Sequence, residues 1–166
     1  MSEIERIAIN TSKAVFPLHA VDAADHPVMR HKENLVSQAL AKIAGVGPIT
    51  ALTLAIEIVP DHFRSGRHLA AWIGLSPKER STGARRTMGG ASRAGNERLR
   101  SLSAVAATSV VHHAKPGSKS AHERLLKLLE LWPRKVAAVA LANKMVRIAW
   151  AMMPTGQAYR GAPQPG

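Results

Sequence analysis

The segment from residue 77 to residue 100 combines arginines, glycines and hydroxyl groups. It has only two acids, Glu79 and Glu97, against seven basic residues. The basic residues are Lys78, Arg80, Arg85, Arg86, Arg93, Arg98 and Arg100. Arginine forks bind phosphates through paired hydrogen bonds, and glycines let a chain follow a phosphate backbone closely. The segment therefore favours nucleic-acid binding over an ordinary solvated loop, although phosphate contacts alone carry no base specificity.

Four hydroxyl groups lie inside this basic segment: Ser81, Thr82, Thr87 and Ser92. A hydroxyl among arginines could attack a phosphodiester, because the cations stabilise the charge that develops on the phosphorus oxygens. Most loop serines, however, only cap backbone groups or bind water. From these residues alone, the structural interpretation is the stronger one.

A second phosphate-binding candidate is the run Gly45-Val-Gly47-Pro48 between two apolar periodic segments. This pattern is typical of a helix-hairpin-helix, with Pro48 at the first helical position. Gly45 and Gly47 would let the backbone approach a phosphate, which the amides of the second helix would bind. The alternative is an ordinary turn between helices with a glycine cap.

Metal chemistry has little support in the sequence. The eight histidines lack helical metal-ligand spacing, and we interpret all of them as structural or surface residues. Four of the few acids, Asp22, Asp25, Glu57 and Asp61, form no convincing two-metal cluster. The chain contains no cysteine, which excludes disulfides, thiolate zinc sites and thiol nucleophiles.

Composition points to a helical protein with an anionic partner. The chain has 166 residues, a net charge of +12, 46% hydrophobic residues and 4% aromatic residues. We therefore expect an aliphatic, alanine-rich core of packed helices. No apolar stretch is long enough to cross a membrane, and no signal peptide is visible at the start, so we expect no membrane partner. The absence of cysteine makes the reducing cytoplasm the expected compartment.

Periodicity and helix signals predict a mainly α fold with a short N-terminal β-hairpin. The expected strands are Ile7–Asn10, Val15–Val21 and Val28–Lys32. Helices are expected from Glu33 to Gly45, from Pro48 to Pro60, and from Arg67 to Ile73 after a cap at Ser65. Another is expected from Asn96 to His113. A fifth should follow a capping box at Ser120–Glu123, and a sixth should run from Pro133 to Met152. We expect the stretch Leu75–Gly95 to be a loop.

Several motifs, in order, resemble one family. They are Ile43-Ala-Gly-Val-Gly-Pro-Ile-Thr-Ala51, Phe63-Arg-Ser-Gly-Arg-His-Leu-Ala-Ala-Trp-Ile-Gly-Leu75, Pro77-Lys-Glu-Arg-Ser-Thr-Gly83, Gly90-Ala-Ser-Arg-Ala-Gly-Asn96 with Leu99-Arg100, and Val136-Ala-Ala-Val-Ala-Leu-Ala-Asn-Lys144 with Arg147-Ile-Ala-Trp150. Together they are similar to the transposases of bridge-RNA-guided bacterial insertion sequences, relatives of the Piv DNA invertase.

The resemblance implies an N-terminal ribonuclease-H-like domain with four metal-binding acids, using a divalent metal such as Mg²⁺, and a C-terminal helical domain with a nucleophilic serine. The start of this chain resembles the first hairpin of that N-terminal domain, but Asn10 replaces the expected aspartate. Residues 1–32 are then a remnant of an internally deleted domain, 33–155 the helical transposase domain, and 156–166 a flexible tail.

The same resemblance implies that Ser81, or alternatively Thr82, is the nucleophile. We expect a DNA transposase or recombinase with impaired catalysis. The alternatives are a non-catalytic remnant that binds DNA or guide RNA, or a decayed product without a role. The exposed strand edges predict homo-oligomers, or mixed oligomers with an intact transposase.

Overall fold

The computed structural model describes residues 6–9, 18–21, 27–30, 32–82, 85–114 and 123–155, with side chains described for 32–77, 89–114 and 125–155. This part of the chain is mainly helical. Its helices are α1 (Leu35–Leu40), α2 (Pro48–Glu57), α3 (Gly66–Ile73), α4 (Glu97–His113), α5 (Glu123–Leu131) and α6 (Arg134–Met152), with a short 3-10 turn at Pro60–His62. Its strands are β1 (Arg6–Ile9), β2 (Leu18–Val21), β3 (Pro27–Arg30), β4 (Pro77–Thr82) and β5 (Arg85–Ala91).

The strands form two separate antiparallel sheets. The first has the order β1-β2-β3, and its middle strand comes close to α2. The second pairs β4 with β5 and connects α3 to α4. Each sheet is therefore built from neighbouring segments of the chain, with no crossover connection.

The core lies where α6 packs against α4 and α3. Ala137, Ala142 and Ala149 of α6 are completely buried, and such small side chains let neighbouring helices approach closely. The largest side chains buried against them are aliphatic, including Leu69, Ile73, Leu99 and Val146. No aromatic side chain is buried among the described residues, so the predicted aliphatic, alanine-rich core is confirmed.

Local signals at the helix ends agree with the prediction. Ser65 caps α3 by accepting a hydrogen bond from the backbone N–H of His68 at 3.2 Å, and Gly74 ends this helix in the left-handed conformation. Pro48 begins α2, and Pro133 stands immediately before α6. The predicted capping residue Ser120 lies outside the described residues.

The predicted ends of two helices and one predicted loop are wrong. Helix α2 ends at Glu57 rather than at Pro60. Helix α1 ends at Leu40 rather than near Gly45, and its last apolar residues continue in a tight turn in which Ile43 N–H bonds to the carbonyl of Leu40 at 3.0 Å. The predicted loop Leu75–Gly95 contains the strand pair β4–β5. These strands are mostly polar and show no alternation of apolar and polar residues, so the usual strand signal was missing.

Candidate nucleic-acid interface

The basic strand pair β4–β5 is anchored where it leaves and rejoins the helices. The backbone N–H of Ser92 donates to the carbonyl of Ser76 at 2.9 Å, and that of Arg93 donates to the carbonyl of Gly74 at 3.3 Å. These bonds continue the pairing of Pro77 with Ala91 beyond the end of the sheet. The base of the strand pair therefore lies directly against the C-terminal end of α3.

Two glycines make this close approach possible. Gly74 and Gly95 both have a φ of 85°, which alanine and larger residues rarely adopt. A Cβ at position 95 would overlap the carbonyl oxygen of Trp72, and one at position 74 would overlap the carbonyl oxygen of Ala94. The backbones of α3 and of the segment before α4 are therefore packed against each other without room for a side chain.

Asn96 ties the start of α4 to α2. Its Oδ1 accepts a hydrogen bond from the backbone N–H of Leu99 at 3.0 Å, which caps the helix. Its Nδ2 donates to Oε2 of Glu57 at 2.8 Å. The other oxygen of that carboxylate lies 3.8 Å from Nε of Arg98.

Two further side chains hold carbonyls at the base of the strand pair. Nη1 of Arg100 donates to the carbonyls of Ile73 at 3.1 Å and Ala94 at 3.3 Å, and so bridges the two segments. Nδ2 of Asn143, on α6, donates to the carbonyl of Leu75 at 3.3 Å. The strand pair is thus connected through its base to α2, α3, α4 and α6.

The pairing register brings hydroxyl-bearing residues opposite arginines. Ser81 pairs with Arg86, Thr82 with Arg85, and Arg80 with Thr87. Cross-strand partners in an antiparallel pair have Cβ atoms about 4.5–5.5 Å apart. Both candidate nucleophiles therefore stand opposite an arginine in the backbone pairing, and the side chains of residues 78–88 lie outside the description.

The remaining predicted site residues have different surroundings. Arg93 is exposed and has a φ of 53°, which is rare for a non-glycine residue. At Gly45 a Cβ would overlap Val110 of α4, so close packing explains this glycine without a phosphate. Gly47 caps α2 with its backbone, and the space beside it is open. Asn10 lies outside the described residues.

A groove of about 990 Å³ runs along α6. Its lining is mainly apolar but includes Arg67, Lys144 and Arg147. None of the predicted site residues lines it.

The described residues do not fit the divalent metal that the resemblance implies. Within that part of the chain, no three histidines or acids come together as a possible metal site. Over the same residues, no helix is both long enough and apolar enough to cross a membrane.

The family assignment comes from the segment that contains this interface. The sequence profile described as the transposase IS116/IS110/IS902 family matches residues 37–123, which is more than half of the chain. The chain belongs to this transposase family. The match runs from α1 through the strand pair and α4 to the first residue of α5.

Curated relatives agree with this assignment. The chain is 41% identical to a putative transposase of Sinorhizobium fredii (y4pF/y4sB) over 96% of its own length and 46% of that protein. It is 39% identical to a probable family 20 transposase of Pseudomonas aeruginosa, covering 74% of this chain and 37% of that one. It is 35% identical to the transposase for insertion sequence element IS1111A of Coxiella burnetii, covering 78% and 36%. The chain thus spans less than half the length of these relatives.

The first of these alignments also bears on the domain organisation. It is 176 positions long and covers 96% of the 166-residue chain, so it contains no gap as large as a domain. A 169-position alignment with a second Sinorhizobium protein, a putative transposase (y4rJ), also covers 96% of the chain at 29% identity. Relative to these two transposases, the chain therefore shows no large internal deletion after residue 32.

Sequence reasoning missed the residues that brace the strand pair. Glu57, Asn96 and Asn143 were not recognised as functional, because their partners lie 39 or 68 residues away along the chain. The available signal was partial: an asparagine immediately before a helix is a typical N-cap. Nothing in the sequence indicated that its amide also holds Glu57.

We expect Asn96→Ala to lower the free energy of unfolding by about 1–2 kcal/mol, because it removes an N-cap and leaves Glu57 without its amide partner. Urea unfolding followed by circular dichroism measures this. The control is Asn34→Ala, which removes the N-cap of α1, where Asn34 Oδ1 accepts from Ser37 N–H at 2.7 Å.

Both variants should lose stability, but only Asn96→Ala should weaken nucleic-acid binding at temperatures where both remain folded. Equal effects of the two variants on binding would show that Asn96 has no special role in bracing the strand pair.

Proposed function

We propose that this chain is a nucleic-acid-binding part of an insertion-sequence transposase, and that the strand pair β4–β5 holds the phosphate backbone of DNA. The observation that carries the proposal is the anchoring of a basic strand pair to the helical body through Asn96, Arg100 and two glycines. A fixed base places the cations of the strands at defined positions, which lowers the cost of ordering them on binding.

The basic residues then divide into two groups. Lys78, Arg80, Arg85, Arg86 and Arg93 are proposed to contact phosphates. Arg98 and Arg100 already have protein partners at the base of the strand pair, so their role is mainly to hold it in place. The net charge of +12 adds a long-range attraction for polyanions.

The start of α2 offers a second phosphate contact. The proposed helix-hairpin-helix consists of α1, the turn at Gly45–Gly47 and α2. The space beside the Cα of Gly47 is open, and no side chain caps the start of α2. Backbone N–H groups there could bind a phosphate oxygen, assisted by the helix dipole.

For strand exchange, we propose Ser81 as the nucleophile, with Thr82 as the alternative. The pairing of Ser81 with Arg86 and of Thr82 with Arg85 supports either choice, since each arginine could stabilise charge on an attacked phosphate. In this proposal catalysis by the chain alone is impaired. Among the described residues, no three acids or histidines come together where they could hold a metal ion.

A second candidate is a non-catalytic module that binds DNA or guide RNA, or joins an intact transposase in mixed oligomers. It is favoured by the described residues, in which no three acids or histidines come together as a possible metal site. Both candidates place the chain in the cytoplasm, where the DNA of a bacterial cell lies.

The test is fluorescence anisotropy with labelled duplex DNA and with structured RNA over a salt series. The proposal predicts that log K falls linearly with log salt, because bound phosphates release counterions. A folded sample without salt-dependent binding to either nucleic acid would overturn it.

The nucleophile is tested separately. We expect Ser81→Ala to bind duplex DNA as tightly as the original chain, because a serine hydroxyl adds little to phosphate affinity compared with arginine. We also expect the original chain to form no covalent protein–DNA adduct on denaturing gels when the substrate is the DNA that flanks the gene of this protein. An adduct lost in Ser81→Ala would contradict the impairment and confirm this serine as the nucleophile. An adduct lost only in Thr82→Ala would assign that role to the threonine.

A further inference from the structure

Three aromatic side chains form a cluster on the surface around α3. Phe63, just before the helix, lies between His68 and Trp72, with ring centroids 5.6 Å and 5.5 Å away. The interplanar angles of 67° and 64° are edge-to-face arrangements, which fix the orientation of the rings. We call these three residues the aromatic platform.

The aromatic platform is fixed by packing and is also exposed to solvent. Phe63 packs against the hydrophobic core, and the carbonyl of Trp72 is in close contact with Gly95. His68 and Trp72 are one helical turn apart, and the Trp72 side chain remains 42% exposed. The Trp72 indole is fixed by its backbone and by its contact with Phe63, and it is accessible to solvent. Such a ring can stack another flat ring on its exposed face.

Two cationic residues lie close to the platform along the chain, and a backbone hydrogen bond brings a third to the end of α3. Arg64 and Arg67 are exposed in the same segment, with Asp61 as the acid nearest in sequence. Arg93 is brought to the C-terminal end of α3 by the hydrogen bond of its N–H to Gly74. Its φ of 53° is a strained conformation, and such strain is often found at functional sites.

We propose that the aromatic platform stacks an unpaired base of single-stranded nucleic acid, while Arg64, Arg67 and Arg93 hold the flanking phosphates. This inference rests on the proposed function, because the platform adjoins the base of the strand pair β4–β5. Aromatic rings beside a cationic track are the usual means of binding single strands without sequence preference. The arginines argue against an apolar protein partner, which would gain nothing from phosphate-binding groups.

The experiment compares the affinity of the full chain for four ligands: oligothymidylate, oligouridylate, an abasic strand of equal length and duplex DNA. Trp72→Leu keeps an apolar contact for Phe63 but removes the flat face, and Trp72→Phe restores an aromatic ring. The matched control is Trp132→Leu, since Trp132 is 54% exposed on the turn between α5 and α6.

We expect Trp72→Leu to bind oligothymidylate about ten-fold more weakly, with most of the affinity recovered in Trp72→Phe. Trp72→Leu should bind duplex DNA and the abasic strand as tightly as the original chain does. Trp132→Leu should bind all four ligands as the original chain does. A stronger effect with oligouridylate than with oligothymidylate would identify RNA as the source of the stacked base, and the reverse would identify DNA.

The proposal is overturned if Trp72→Leu and Trp132→Leu behave alike with oligothymidylate, or if the original chain binds the abasic strand equally well. The comparison of oligothymidylate with the abasic strand needs no variant, so it decides the matter even where a substitution prevents folding. If the original chain shows no salt-dependent binding of duplex DNA, the proposed function is refuted. The comparison of oligothymidylate with the abasic strand can still be made in that case.

Discussion

Gly95→Ala is expected to lower the free energy of unfolding by about 3 kcal/mol or more, or to prevent stable folding altogether. Two costs add up at this position. The φ of 85° is unfavourable for alanine, and a Cβ would overlap the carbonyl oxygen of Trp72. The neighbouring groups are backbone atoms, so no flexible side chain can move aside.

Relief of this overlap would require the end of α3 to separate from the segment before α4. That movement would break the hydrogen bond between Arg93 N–H and the carbonyl of Gly74, and would disturb the bridge made by Arg100. Because a domain of this size has only about 5–15 kcal/mol of stability, a loss of this magnitude is readily measured. Thermal and urea unfolding followed by circular dichroism are the measurements.

The matched control for this prediction is Gly90→Ala. Gly90 lies in β5, no atom lies within 4 Å of the position its Cβ would take, and its φ is not positive. We expect its stability to be close to that of the original chain. If the two alanine variants unfold at the same urea concentration, the close backbone packing at Gly95 is not a determinant of stability.

The parts of the fold that local chemistry determines could be predicted from the sequence. Ser65 marks the start of α3 because its hydroxyl caps free N–H groups, and Gly74 marks the end because glycine tolerates a positive φ. Pro48 and Pro133 mark helix starts because proline lacks an N–H and fits the first turn. In each case the cause and its effect lie within one helical turn of each other.

The strand pair β4–β5 escaped prediction because its pairing depends on backbone hydrogen bonds rather than on an apolar face. Arg80, Ser81 and Thr82 give no alternation of polarity, while the nearby glycines suggest a loop. The bracing contacts were hidden for a different reason. Asn143 Nδ2 donates to the carbonyl of Leu75 across 68 residues, and no local pattern specifies such a partner.

The candidate site was predicted by composition but not by role. Charge and residue type selected the seven basic residues of the 77–100 segment, and the structure then showed protein partners for Arg98 and Arg100. Arg100 illustrates the difference, because its guanidinium is committed to two backbone carbonyls. A sequence cannot distinguish an arginine that binds phosphate from one that holds a turn, since both require the same donors.

Arg85→Ala combined with Arg86→Ala is expected to reduce the salt dependence of duplex binding by about two in the slope of log K against log salt. Each phosphate contact contributes about 0.9 to this slope on duplex DNA. The affinity at low salt should fall by about ten-fold or more, and the difference from the original chain should shrink as salt increases. Anisotropy titrations between about 50 and 200 mM salt measure both quantities.

The control must remove the same charge elsewhere, because any loss of cations weakens attraction to a polyanion. Arg134 and Lys135 are exposed neighbours at the start of α6, so their double alanine variant also lowers the net charge of +12 by two. We expect that variant to keep the original slope, because slope counts phosphates actually contacted rather than total charge. Equal slopes in the two double variants would mean that binding is spread over the whole basic surface. A loss confined to Arg85 and Arg86 would place the phosphate backbone against the same strand positions that pair with Thr82 and Ser81, which is where a nucleophilic hydroxyl would have to meet it.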